Sequence, residues 1–304
     1  MPAFSFDEVL PVMHKTVLAD EVVRALGASQ GGLFVDVTAG GGGHAARILE
    51  ESPAVRLIAC DRDPRAVETA RERLAEFGER AVVVHTSFAE IATALAALDV
   101  DRVDGVLADL GVSSFQLDDA DRGMSFRTRG PLDMRMDPTS GETALELIER
   151  LSQDDLANVI YELGEERRSR RVARCIKQAL AAGELVDTFD LRRAVVRAVG
   201  PRRVGGIDPA TRTFQALRIA VNGELDQLAA LLAALETIVR PGGIAALISF
   251  HSLEDRLVKR EFQKRELWRR LTSKPVTPGP TELAGNPRSR SAKLRAAERL
   301  ESDS

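Results

Sequence analysis

The sequence predicts an α/β protein, a doubly wound and mostly parallel sheet interrupted by an inserted helical domain. Three observations carry that prediction. Short apolar runs alternate strictly with helical patterns over the first third of the chain. Four consecutive glycines, Gly40 to Gly43, directly follow the first apolar run and precede a helical pattern. The alternation then stops after Leu110 and resumes near Asp208.

Leu33–Val37, Arg56–Cys60, Ala81–Val84 and Val103–Leu110 read as strands, with helices near His44–Glu51, Pro64–Phe77 and Phe88–Leu98 between them. Right-handed crossovers make the sheet parallel, and its ligand edge is the carboxyl ends of the strands. Gly111–Thr143, rich in Gly, Pro, Asp and Arg, is too long for an ordinary connection and is either disordered or a functional cover. From Ala144 to about Gly206 the pattern is helical. Val172, Ile176, Ala179 and Leu180 share one face, Arg167, Arg168, Arg170, Arg171 and Arg174 occupy the rest, and Gly183 supplies a stop.

Asp208 and Pro209 predict an N-cap and first helical residue. The helix they open carries Phe214, Leu217 and Val221 on its apolar stripe and Thr211, Gln215, Arg218 and Asn222 on another face. Ile244–Phe250 is a fifth strand, entered through an Arg-Pro-Gly-Gly turn and left through a capping box at Ser252–Asp255. Ala292–Ala297 is the candidate for a final strand. The expected division is a first sheet part at 1–112, a loop and helical insertion at 113–207, and a second sheet part with a basic tail at 208–304.

At 304 residues and 44% hydrophobic content the chain suits an ordinary globular class. It has no apolar stretch long enough to span a bilayer, and Met1–Leu10 lacks the pattern of a signal peptide, so a cytoplasmic protein is expected. Cys60 and Cys175, with His14, His44, His85 and His251, show no zinc-site spacing, so neither a disulfide nor a metal is expected. The net charge of −4 conceals two basic segments, 165–203 and 256–304, on an otherwise acidic protein. They fit either solvated faces or a phosphate-binding footprint.

Gly40, Gly42 and Ala45 satisfy G-x-G-x-x-A, and Asp61 follows at the end of the second strand, where a carboxylate grips ribose hydroxyls. The pattern alone fits NAD or S-adenosylmethionine. Charge separates them: Asp36, Asp61 and Asp109 end three strands at one edge, where they would repel a pyrophosphate and suit a sulfonium with an ammonium. Singly, Asp36 also reads as a loop-stabilising acceptor, and His44 as cover for its helix turn.

Several stretches together carry a family resemblance: HKTVLADEVV, VDVTAGGGGHAARIL, DRDP, LADLGVSSFQLDDADRGMSF, GPLDMRMDP, GEER, PATRTFQALRIAVNGEL, PGGIAALISFHSLEDRLVKR and NPRSRSAKLRAAER. From His14 to Arg299 the chain resembles the ribosomal small-subunit methyltransferase H, or MraW, family. The resemblance implies a class I methyltransferase fold with a helical insertion. It also implies methyl transfer from S-adenosyl-L-methionine to the exocyclic N4 of one cytidine in the decoding region of 16S rRNA, in the small ribosomal subunit. Carried onto matching positions, its donor contacts are Gly42, Gly43, His44, Asp61, Phe88, Asp109 and Gln116. By its own pattern Phe88, an aromatic opening a helix, reads more often as core than as an adenine platform.

The cytosine amino nitrogen conjugates its lone pair into the ring, so positioning and hydrogen-bond acceptance should dominate the transfer. Asp109 is the expected catalytic acceptor, with a purely donor-binding role as its alternative. The Asn/Asp-Pro-Pro-aromatic run of many amino methyltransferases is replaced here by Asp109-Leu110-Gly111-Val112, so other groups must hold the base. Phe115, Phe126, Asp133, Arg135, Asp137, Arg218, Asn222, Ser249 and His251 are candidates. Methylation at C5 needs a thiolate, which neither cysteine is placed to supply. A buried donor requires a splayed-out base, and Arg168, Arg170 and Arg171 are candidate clamps on the RNA backbone. The rival classes are an NAD-dependent oxidoreductase and a non-enzymatic RNA-binding module. Self-association stays open.

Overall fold

A computed structural model describes residues 16–201 and 208–301. His14, Arg202, Arg203 and the first ten residues, which entered the sequence reading, lie outside the described residues.

Among the described residues, seven strands form one sheet in the order β3-β2-β1-β4-β5-β7-β6. They are β1 (Gly32–Asp36), β2 (Val55–Asp61), β3 (Ala81–His85), β4 (Val103–Asp109), β5 (Val239–Ser249), β6 (Trp268–Arg270) and β7 (Lys293–Arg299). The first five run parallel, and β7 is antiparallel to both β5 and β6. The class I methyltransferase fold expected from the sequence is therefore present.

The five central strands are nearly continuous runs of small and branched apolar residues because both faces are covered. Alternate residues feed opposite cores. Phe34, Leu57, Ala59 and Leu107 pack with α1 (Ala19–Leu26), α2 (Gly43–Leu49) and α3 (Pro64–Leu74). Val35, Ile58, Cys60 and Val106 pack with α4 (Ile91–Ala96), α11 (Glu224–Ile238) and α12 (Ser252–Glu261).

Between β4 and β5 the chain passes through α5 (Ser114–Asp118), α6 (Ala144–Arg150), α7 (Gln153–Gly164), α8 (Ser169–Ala181), α9 (Thr188–Val199) and α10 (Thr211–Asn222). A third apolar cluster joins Leu147, Ile160, Val172, Ile176 and Leu191 to Phe214 and Leu217 of α10. The last helix, α13 (Pro280–Gly285), precedes β7.

Several boundaries differ from the sequence reading. The Arg-Pro-Gly-Gly segment lies inside β5, where the register with β4 shifts, rather than in a turn before it. The helix after Asp208 begins at Thr211, and Asp208 closes the preceding turn by accepting the Ala210 N–H through Oδ1 at 3.0 Å. The cap of α12 is His251, not Ser252: its Nδ1 accepts the Glu254 N–H, and Glu254 accepts the His251 N–H. The final strand runs over 293–299 and recruits β6, whose three residues gave no periodic signal.

The segment 111–143 is folded cover. A capping box, Ser113 with Gln116, opens α5. Arg122 places Nη2 2.9 Å from each Asp63 carboxylate oxygen, and its Nη1 donates to Met136 O at 2.9 Å. Asp63 itself caps α3. Further along, Asn222 accepts from Met136 N at 2.7 Å and donates to Met134 O at 2.8 Å. Both clamps are buried, so the cover is bonded to β2's exit on one side and to α10 on the other.

Breaking the Arg122–Asp63 pair leaves a buried carboxylate without its cation. Arg122→Met is expected to cost about 3 kcal/mol in urea unfolding and to speed amide exchange selectively across 111–143. Wild-type stability and exchange in the variant would contradict this account of the cover.

Candidate active site

The carboxyl ends of β1, β2 and β4 open into a cavity of about 580 Å³, a volume typical of a small-ligand site. Its lining includes Thr38, Gly40, Gly41, Gly43, His44, Asp61, Phe88, Asp109 and Gln116 from the sheet edge and cover. On the opposite side stand Thr211, Phe214, Gln215 and Arg218 of α10, with Phe126 and Met136 of the cover and His251 after β5.

The glycine turn has two physical causes. Gly40 and Gly42 hold φ of +51° and +73°, which side-chain-bearing residues adopt reluctantly. Gly41 and Gly43 are contact points instead: a Cβ on Gly41 would lie 3.0 Å from the Phe115 ring, and one on Gly43 would run into Thr16 Oγ1. Gly42 is the one sequence-assigned donor residue that does not line the cavity; its back faces Ala70 and Arg73 of α3, and it acts through its conformation.

Asp61 holds this turn in place. Its Oδ2 accepts the Gly40 N–H at 2.8 Å and its Oδ1 the Asp63 N–H at 2.9 Å. Burial raises its pKa, against the pull of those two bonds. Each oxygen keeps a lone pair for a further donor. Thr38 joins the neighbouring strand ends, its hydroxyl reaching Asp36 Oδ1 at 3.3 Å and accepting the Asp109 N–H at 2.6 Å.

Asp36 is completely buried, and that burial pushes its carboxyl up to about 6 against the opposing effect of nearby His44. His44 Nε2 lies 3.5 Å from Asp109 Oδ2. Asp36 Oδ2, His44 Nε2 and Asp109 Oδ1 are buried without hydrogen-bond partners among the described residues. Unpaired buried polar atoms are costly, and three at one edge mark a place built for a polar ligand. Three carboxylates against one imidazole make that ligand's favoured charge positive.

Phe88 follows β3, starts a turn capped by Ser87, lines the cavity and also packs on the α4–α11 side of the core. Gln116 is buried, donating to Asp63 Oδ2 at 2.9 Å and accepting the Ser113 N–H at 3.0 Å, so its amide holds α5 over the site. Thr16, Thr38 and Arg73 were absent from the sequence reading of the site; each depends on contacts between distant segments that no local pattern announces.

Cys60 sits within β2, and burial next to Asp36 and Asp61 pushes its thiol up to about 12, which removes it as a nucleophile. Among the described residues, Glu224, His251 and Glu254 bring ligand-type atoms within 4.8 Å of one another. Arg218 bonds both Glu224 oxygens, while Glu254 accepts the Phe250 and His251 N–H groups and pairs with the imidazole. The cluster is neutralised by its own neighbours.

The basic segments are less free than their charge implies. Arg168 donates to Val199 O, Arg170 to Asn158, and Lys293 and Arg295 pair with Asp255. Arg73 and Arg127 line the cavity exposed, without a carboxylate partner among the described residues.

The MraW methylase family model matches residues 11–300. The chain is 66% identical over 287 residues to ribosomal RNA small subunit methyltransferase H of Sorangium cellulosum, covering 94% of this chain and 91% of that protein. It is 52% identical to the protein of that name from Prochlorococcus marinus strain MIT 9303, covering 99% and 97% of the two chains. For the one from Synechococcus elongatus strain PCC 7942 the identity is 48%, with coverage of 94% and 95%.

Asp36 binds its proton up to about pH 6 in the folded chain and releases it near 3.8 when unfolded. The folded state therefore holds the extra proton between those values, and stability falls as pH rises through them. The full penalty, up to about 3 kcal/mol, applies above pH 6. Asp36→Asn is expected to exceed wild-type stability at about pH 8 and to lose most of that margin at about pH 4.5 in urea unfolding. A margin independent of pH would contradict the buried-carboxyl assignment.

Proposed function

The chain belongs to the MraW methylase family, and from that premise we propose that it methylates the exocyclic N4 of one cytidine in the decoding region of 16S rRNA, acting on the small ribosomal subunit in the cytoplasm. The observation that carries the donor half is the set of unpaired buried atoms on Asp36, His44 and Asp109 beside the glycine turn. The names of the relatives support an rRNA target.

S-adenosyl-L-methionine supplies an electrophilic methyl group on a cationic sulfur. Asp61 offers its remaining lone pairs to the ribose, Phe88 a face to the adenine, and Gly43 and His44 the wall beside the methionine part. Gly42 sets the turn, and Gln116 keeps α5 above the donor. Asp109 accepts a hydrogen bond from the target amino group, which leaves the nitrogen lone pair free to turn toward the methyl and stabilises the cation formed. The domain division at 1–112, 113–207 and 208–304 follows the same reading, with α10 as the wall shared between sheet and insertion.

Arg73 and Arg127, exposed cations of the cavity lining without a carboxylate partner among the described residues, are the best-placed phosphate contacts. The inert Cys60 argues against the C5 chemistry that needs a thiolate.

Incubation of unmethylated small subunits with methyl-labelled S-adenosylmethionine, then digestion to nucleosides and mass spectrometry, is expected to place label in N4-methylcytidine. Asp109→Ala is expected to lower kcat/KM by about a hundredfold or more. Label in another nucleoside, or full activity in the variant, would refute the assignment. Arg73→Ala with Arg127→Ala should weaken subunit binding and flatten its salt dependence by about two counterions; an unchanged slope removes both from the RNA footprint.

A further inference from the structure

Resting on the proposed cytosine target, we propose that Arg218 determines base specificity, its guanidinium donating to the N3 and O2 acceptors of the flipped cytosine. The cavity half opposite the acidic edge is built differently from the donor half. Thr211, Phe214, Gln215 and Arg218 line it from α10, and their spacing of three, four and seven residues places them on one helix face. Phe214 meets Phe126 of the cover edge-on, with ring centroids 5.1 Å apart, and Met124 and Met136 complete an apolar slot suited to a planar base.

Arg218 is the charged group that α10 brings to that slot, its side chain only 15% exposed. Its Nε and Nη2 bond the two oxygens of buried Glu224 at 2.8 and 2.9 Å. A guanidinium has five N–H donors in a rigid plane. Glu224 occupies one two-pronged edge, which leaves the other edge, formed by Nη1 and the second N–H of Nη2, without a hydrogen-bond partner among the described residues. Glu224 both fixes the plane and neutralises the charge, so the remaining fork is held ready without a change of rotamer.

That fork matches one base. Cytosine carries two adjacent acceptors, N3 and O2, next to the amino group that is to be methylated. Uracil presents an N3–H donor to the fork, which repels it. Adenine offers N1 beside its amino group but a C–H in place of the second acceptor. An amino group followed by two acceptors is cytosine's edge, and a fixed arginine fork is its complement.

The test is a chemical double-mutant cycle. Small subunits are rebuilt with 16S rRNA carrying cytidine or 3-deazacytidine, in which a C–H replaces N3, at the target. Wild-type chain and Arg218→Lys are compared for kcat/KM of methyl transfer and for subunit Kd with S-adenosylhomocysteine bound. Lysine keeps a charge opposite Glu224 and loses the fork; Arg218→Gln with Glu224→Gln removes the pair together in case the lysine variant does not fold. The cytidine preference over 3-deazacytidine is expected to be at least about tenfold larger in wild type than in either variant. Equal preferences in both readouts overturn the proposal. If wild type makes no N4-methylcytidine on unmodified subunits, the function fails, and the Kd ratio still decides Arg218.

Discussion

Three carboxylates, Asp36 fully buried and Asp61 and Asp109 half-buried, converge at the carboxyl ends of adjacent strands, and the rest of the molecule is arranged around that charge. Asp36, Asp61 and Asp109 end β1, β2 and β4, and the His44 imidazole stands beside Asp36 and Asp109. Isolated carboxylates in such a place would protonate or unfold the edge. Here backbone N–H groups carry much of the load: Gly40 and Asp63 on Asp61, and Thr38 on Asp36. The turn that supplies Gly40's N–H requires a left-handed residue there, so the glycine run and the acid cluster are parts of one device. Of the unpaired groups, His44 and Asp109 line the cavity and Asp36 lies buried behind them, a net acidic edge that favours a cation.

The cover answers a different demand. The methyl transfer proposed above, from a charged donor to a weakly nucleophilic amino group, gains from dry, fixed surroundings. The segment 111–143 provides walls and is itself held by buried polar clamps, Arg122 on Asp63 and Asn222 on Met134 and Met136. Because Asp63 also caps α3 and donates its N–H to Asp61, the cover and the glycine turn held by Asp61 share a single anchor. On the far side, α10 packs Phe214 and Leu217 into the insertion core while turning Arg218 to the cavity. That apolar cluster thus supports the helix that lines the cavity opposite the acids.

The sheet's first five strands were legible because buried parallel strands are short apolar runs and their crossover helices have a different period. The glycine turn and its three acids were legible because their positions follow from strand ends. The missing parts share a non-local origin. β6 is three residues long and exists through its pairing with β7. The bulge in β5 depends on the register with β4. His251 is an unusual N-cap residue, so the sequence pointed to Ser252 beside it. The cover looked like loop because its order comes from side chains more than fifty residues away, and the role of Gln116 as a strut is set by Asp63 and Ser113 together.

The central claim is that this edge selects a cationic donor over an anionic dinucleotide although the glycine fingerprint fits both. Titration calorimetry of the full chain with S-adenosylmethionine and, separately, with NAD tests it most directly. The account predicts one-site binding of S-adenosylmethionine in the micromolar range and at least about a hundredfold weaker binding of NAD, a difference of about 3 kcal/mol. Equal affinity, or a preference for NAD, would contradict it.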